Sequence, residues 1–262
     1  MFTGFANQGT AEYEVITPQT NLSFSVRSLT VQEEEKLKVS FVSNAKITEH
    51  LNQCLFDVIT KKPKEIKDFG SFLKNLTVKD RDGLLFGLYH ITYDEIRNYD
   101  ITCGKCEKEY SVTIKASDTF TMEPYPSKDV LTKKVKVPLK SKGVTAVIRQ
   151  PSLMDEQEAI KQLLQRPGVS MDLISETLII ESFEENIDTK VEPDIYDNRI
   201  DIIDAYKTLL SKDKRIIFDE YKKNFGQYGI KLGMTSYCDK CGNKEDVTIN
   251  LVQSFFRALH EL

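Results

Sequence analysis

No apolar run in the chain approaches the ~20 residues that a membrane-spanning helix requires. The start, Met1-Phe2-Thr3-Gly4, has neither the basic region nor the apolar core of a signal peptide, so the expectation is a soluble protein made in a cytoplasm. Positive charge is not in surplus either: 36 Lys and Arg stand against 40 Asp and Glu, a net charge of −4. Affinity for nucleic acid comes mostly from Lys and Arg neutralising phosphates, so this balance disfavours a general nucleic-acid binder. Glycine-rich phosphate loops, a Gly-x-Ser-x-Gly elbow and a His-Glu-x-x-His helix are all missing. The three histidines, His50, His90 and His260, lie near no nucleophile in a recognisable pattern. Catalysis has no visible carrier, and the chain reads as a non-enzyme without a small-molecule substrate. Glycine (12) and proline (8) are sparse while hydrophobic residues reach 40%, the composition of a folded chain of 262 residues, one large domain or two modest ones.

What is present is a unit written twice. A shift of 122 residues lays Val26-Arg27 on Ile148-Arg149 and Thr30-x-x-Glu33 on Ser152-x-x-Asp155. Each of these is a capping box, in which a hydroxyl and a carboxylate three residues on satisfy the exposed N–H groups of a helix start. The shift also lays Thr48 on Ser170, two further expected N-caps, and the strand-like positions Tyr13, Val15, Leu22 and Phe24 on Val135, Val137, Val144 and Ala146. Thr77-x-x-Asp80 then announces a helix over Leu84 to Ile96, and Ser211-x-x-Lys214 one over Ile216 to Phe225. The expected organisation is a first repeat over residues 1–124 and a second over 125–262, joined at the proline-containing Thr121 to Lys128.

Each half closes on a Cys-x-x-Cys pair, Cys103/Cys106 and Cys238/Cys241, 135 residues apart. The second half therefore carries 13 further residues, expected in the polar stretch Glu184 to Asp194. In an unsecreted chain such pairs point to metal or redox chemistry. A redox pair of the thioredoxin kind precedes a helix, whereas strand-like Val-Thr-Ile follows both pairs here; two separate disulfides or free thiols are the remaining bland readings. A cysteine pair leading into a strand is the zinc knuckle, and if the halves pack about a pseudo-twofold axis the two knuckles meet and share one zinc ion. The expected fold is α+β, an internally duplicated helical unit with β-hairpins whose two knuckles form one four-cysteine site.

Several other features have bland readings. Cys54 is expected to be a half-buried structural thiol, Glu33-Glu34-Glu35 a first helical turn whose carboxylates suit the dipole, and Lys133, Lys134, Lys136, Lys140 and Lys142 the wet face of a strand. The adjacent Phe255, Phe256 and Arg257 are unusual in a polar terminal stretch: they either fold back on the protein or dock on another chain, which makes them candidate partner-binding residues.

The order strand, Val-Arg, a helix beginning Leu29-Thr30-x-x-Glu33-Glu34, a long helix with Leu85-Phe86-Gly87-Leu88-Tyr89 followed by Tyr93, then Cys-x-x-Cys and an alternating strand, resembles the baseplate proteins of T-even-type bacteriophages. The likeness is clearest over residues 22–115, and the second Cys-x-x-Cys and the Phe-Phe-Arg ending are also similar, whereas Met1 to Gln19 has no obvious counterpart. The resemblance implies a structural or assembly component of the hub or a wedge of a contractile tail. Its partners would be other tail or baseplate proteins, and it would reside in the host cytoplasm during assembly and in the virion tail if retained. Onto this chain it carries only Cys103, Cys106, Cys238 and Cys241, as metal ligands. The alternative is a zinc-ribbon nucleic-acid module, which the acidic charge opposes.

Overall fold

Tyr13 and Val15 point the same way along β1 (Glu12–Ile16) and meet Val26 and Phe24 across the ladder on β2 (Ser23–Arg27). These coordinates are a computed structural model that describes residues 11–41, 47–93, 96–115, 120–163, 166–185 and 195–248. At the end of β2 the Arg27 guanidinium grips the Glu33 carboxylate, at 2.7 and 2.9 Å, in the first turn of α1 (Val31–Phe41). The same carboxylate accepts from the Thr30 N–H at 2.8 Å while Thr30 Oγ1 accepts from the Glu33 N–H at 3.3 Å, so the first capping box forms as the spacing predicts. Helix α2 (Ile47–Asp57) packs beside α1, and β3 (Ile59–Lys61) then adds to the free side of β2. Thr48 is not the cap expected of it, because the helix already begins at Ile47.

Two more helices follow. The short α3 (Phe69–Asn75) is capped reciprocally by Asp68 and Ser71, and α4 (Val78–Thr92) by Thr77 and Asp80. Helix α4 runs through the centre of the main core, burying Leu84, Leu85, Phe86, Leu88 and Tyr89. Gly87 makes this possible: a Cβ there would collide with Val15 Cγ2 of β1. The helix stops at Thr92, short of the expected Ile96, which instead opens β4 (Ile96–Thr102); β4 pairs with β5 (Glu109–Lys115), and β6 (Phe120–Glu123) ends this half.

Apart from β6 in the first half and one short added strand in the second, the described elements of the second half follow in a similar order. In β7 (Lys134–Leu139) and β8 (Val144–Arg149), Val135 faces Ile148 and Val137 faces Ala146, and Arg149 then grips Asp155 at 2.7 and 2.8 Å at the start of α5 (Leu153–Leu163). Helix α6 (Met171–Leu178), capped by Ser170 as expected, leads to β9 (Ile180–Glu185), which adds to β8, and β10 (Ile195–Tyr196) extends that sheet. Both sheets are irregular at one place, between Ser25 and Val26 in the first and between Val147 and Ile148 in the second. Then come α7 (Arg199–Lys207), capped by Asn198, and α8 (Ser211–Tyr221), prolonged by a π-helical turn over Lys222–Gly226. Ser211 is not a cap: it is the first residue of α8, and Leu210 occupies the cap position without a side-chain bond. The hairpin of β11 (Gly229–Tyr237) and β12 (Lys244–Thr248) completes the described fold.

The halves interlock. Strand β6 pairs with β11, the Leu153 N–H donates to the Leu76 carbonyl at 2.9 Å, and Arg81 on α4 forms an ion pair with Glu156 on α5. The connecting segment is anchored as well, because Tyr125 is buried, stacks on Phe225 and donates its N–H to the Pro18 carbonyl at 2.7 Å. Of the lysine strip, Lys134 and Lys136 lie on the wet face of the edge strand β7 and pair with Glu181 at 2.9 Å and Glu184 at 2.8 Å across the sheet, whereas Lys140 and Lys142 fall in the turn after it and Lys133 precedes it, its ammonium over the rings of Tyr125 and Phe225. No helix among the described residues is long and apolar enough to cross a membrane.

Candidate metal centre

Each cysteine pair lies in the turn of a β-hairpin, between β4 and β5 or between β11 and β12. The two turns are built alike. The Cys103 N–H donates to the Lys108 carbonyl at 2.9 Å and the Glu107 N–H to the Cys103 carbonyl at 2.9 Å; the Cys238 N–H donates to the Asn243 carbonyl at 2.9 Å and the Gly242 N–H to the Cys238 carbonyl at 2.8 Å. Both turns need a left-handed residue directly after the second cysteine, and Gly242 (φ 67°) supplies it without strain. Glu107 (φ 55°) adopts the same conformation against its preference, so the first knuckle is the less ideal of the two.

The hairpins meet at the cysteines. All four Sγ atoms lie within 4.8 Å of one another, and the cross-hairpin pairs Cys103–Cys241 and Cys106–Cys238 are each 3.6 Å apart. An ion held tetrahedrally by sulfurs at about 2.3 Å requires sulfurs about 3.8 Å apart, so the cluster fits a metal ion with little movement. All five cysteines are free thiols. Cys103 and Cys238 are buried, and Cys106 and Cys241 are half-buried. Burial pushes the Cys238 thiol up, but the backbone N–H groups of Cys241 and Lys240 outweigh it and hold the thiol down at about 7. Those donors favour a thiolate at Cys238, the form a metal takes, whereas at Cys241 the lowering by the Asn243 backbone is outweighed by burial and the neighbouring cysteine sulfurs, which push that thiol up to about 12. Four sulfur ligands leave a tetrahedral ion no open position, so such a centre suits a structural role.

Contacts that spacing alone did not announce hold the two knuckles together. Lys108 pairs with Asp239 at 2.6 Å across the hairpins, and the Gly104 N–H donates to Glu245 Oε1 at 2.9 Å, where Asn243 Nδ2 also donates at 2.6 Å. Their only signal in the sequence is a charged residue beside each pair.

Among the described residues, no other group of three or more His, Cys, Asp or Glu side chains is close enough to hold a metal. Cys54 lies partly buried on α2, where burial and then the carboxylates of Glu33 and Asp57 push its thiol up to about 12, as suits an unreactive structural cysteine. His50 is in the first turn of α2, and His90 on α4 packs against the rings of Tyr13 and Phe86. Phe255, Phe256, Arg257 and His260 lie outside the described residues.

No curated protein and no solved structure matches the chain. A family model, however, matches residues 10–257, nearly its whole length, and places beyond the cysteine centre the strands and helices of both halves within one family. The protein belongs to the family of T4 bacteriophage base plate proteins.

Proposed function

We propose that the protein is a structural or assembly component of a contractile-tail baseplate, in the hub or in a wedge, and that it works through contacts with other tail or baseplate proteins. The observation that carries this reading is the family match over residues 10–257. The cysteine cluster supports it, since a closed four-sulfur centre rigidifies a part that must keep its shape within an assembly. Zinc on Cys103, Cys106, Cys238 and Cys241 is the ion of this reading, because tetrahedral all-thiolate sites at the turns of paired hairpins suit a redox-inert staple. The protein would be made in the host cytoplasm and carried into the virion tail if retained.

An internal duplication, with repeats over residues 1–124 and 125–262, accounts for the recurring geometry. Besides the two Arg-to-carboxylate grips, each half buries an aspartate in the first turn of its helix before the knuckle. Asp80 accepts the Gln19 N–H of the β1–β2 turn at 2.8 Å, and Asp213 accepts from Ser141 Oγ of the β7–β8 turn. Gln19 and Ser141 are themselves 122 residues apart, the same shift that relates the two arginines.

Co-purification from infected cells tests the role. With an affinity tag on the protein, tail and baseplate proteins should come down together in a salt-resistant complex. Recovery of nucleic acid alone, released by moderate salt, would contradict the proposal.

A further inference from the structure

The two hairpins come from opposite halves of the chain, and their four sulfurs reach ligating distance of one ion only when the two turns sit in register. The polar contacts that cross between the turns run one way. The second hairpin supplies both carboxylates, Asp239 and Glu245, and the first supplies both donors, the Lys108 ammonium and the Gly104 N–H.

These two contacts are unequal. The side chains of Lys108 and Asp239 are 38% and 64% exposed, so water screens their attraction and the pair contributes little. Glu245 is half-buried on β12, and its Oε1 accepts both the Gly104 N–H at 2.9 Å and the Asn243 side-chain amide at 2.6 Å. Hydrogen bonds to a carboxylate are shorter and stronger than those between neutral groups. Gly104 directly follows Cys103, and Asn243 lies two residues after Cys241. One carboxylate thus ties the backbone beside a ligand of the first pair to the turn that carries the second pair. The reverse contact is not made. The 135-residue spacing of the pairs puts Tyr110 on β5 where Glu245 stands on β12, and the buried Tyr110 hydroxyl has no hydrogen-bond partner among the described residues.

We propose that Glu245 is a positioning residue of the metal centre: it holds Gly104, and with it Cys103, where both cysteine pairs face one ion. This inference rests on the four-cysteine reading of the centre. Hairpins that had to be brought together on binding would lose conformational freedom at that moment and bind metal more weakly, and a contact already made in the metal-free protein removes part of that cost. Groups that orient the ligands of a metal site typically change its affinity by about ten- to a hundredfold when lost.

Cobalt(II) is the probe, because its absorption reports tetrahedral thiolate ligation. The full-length protein, metal-free and reduced, is titrated with cobalt alongside three variants. Glu245→Ala should bind about ten- to a hundredfold more weakly than the native protein, with the same absorption at saturation and unchanged far-UV circular dichroism. Glu245→Gln keeps an oxygen for the Gly104 N–H and should lose markedly less. Glu109→Ala removes an exposed carboxylate from β5 and should bind as the native protein does. Equal affinity of the native protein and Glu245→Ala would overturn the proposal and leave the four-cysteine centre standing. Equal weakening by Glu245→Ala and Glu245→Gln, or by Glu245→Ala and Glu109→Ala, would also overturn it, since the effect would then be one of charge and not of position. A native protein that gives no thiolate–cobalt absorption would remove the metal centre, and the proposal with it.

Discussion

The Arg81 guanidinium on α4 grips the Glu156 carboxylate on α5, and the two side chains are only 10% and 15% exposed. This ion pair crosses from one half of the molecule to the other. Removing one partner leaves the other charge buried and unpaired, so Arg81→Ala should lower the free energy of unfolding by about 3 to 5 kcal/mol in urea titrations. An Arg81→Met/Glu156→Leu double variant should lose markedly less, since it leaves no stranded charge. Equal losses would mean that shape, not charge pairing, holds the halves there.

The two Arg-to-carboxylate grips predict a pH dependence. Bonding from Arg27 holds the Glu33 carboxyl down at about 2, and Arg149 holds Asp155 at about 2 against the upward push of burial. Both folded-state values lie below the ordinary 4.5 and 3.8. Their stabilisation is therefore complete above the unfolded values and disappears as pH falls toward about 2. Glu33→Gln and Asp155→Asn should each be less stable than the native protein at pH 6, and the difference should shrink to nothing between about pH 4.5 and 2. A difference that grows in acid would reverse the assignment.

The unlike residues at the same place in the two knuckles give a paired test. No atom lies within 4 Å of a Cβ added at Gly242, so Gly242→Ala should cost only its left-handed strain, about 1 kcal/mol of stability. Glu107→Gly should gain a comparable amount in the other turn. Thermal unfolding of both variants with metal present reads the two signs.

These turns also mark what a reader of the sequence can see. Thr30 with Glu33, Ser152 with Asp155 and Thr77 with Asp80 are legible because a capping box is a contact over three residues, decided by local geometry. The cysteine spacing is legible for the same reason, and the two pairs, 135 residues apart, come together in one cluster. Thr48 and Ser211 misled because a hydroxyl near a helix start is not yet a cap: each lies within the first turn of its helix. Arg81 with Glu156, 75 residues apart, and the pairing of β6 with β11 left no local trace, since both depend on how the halves dock. The short α3 and α7 carry their own caps, Asp68 with Ser71 and Asn198 with Asp201, a local signal of the same kind.

For the C-terminal residues, the docking role predicts a separation of effects. Aromatic and arginine anchors at interfaces typically cost ~2 kcal/mol or more of binding when truncated. Phe255→Ala/Phe256→Ala, and Arg257→Ala, should leave the melting temperature of the isolated protein unchanged while abolishing its capture of baseplate proteins. A large drop in melting with capture retained would show that these residues cover their own core.

The four-cysteine centre is the element on which both halves converge, and metal content tests it most directly. Elemental analysis of protein purified without chelator should find one zinc per chain. Cys241→Ser should lose the metal and melt far lower, because binding in small zinc modules contributes ~10 to 16 kcal/mol, while Cys54→Ser should keep both metal and melting temperature. Native protein without zinc, or equal damage from the two substitutions, would contradict a zinc-stapled structure.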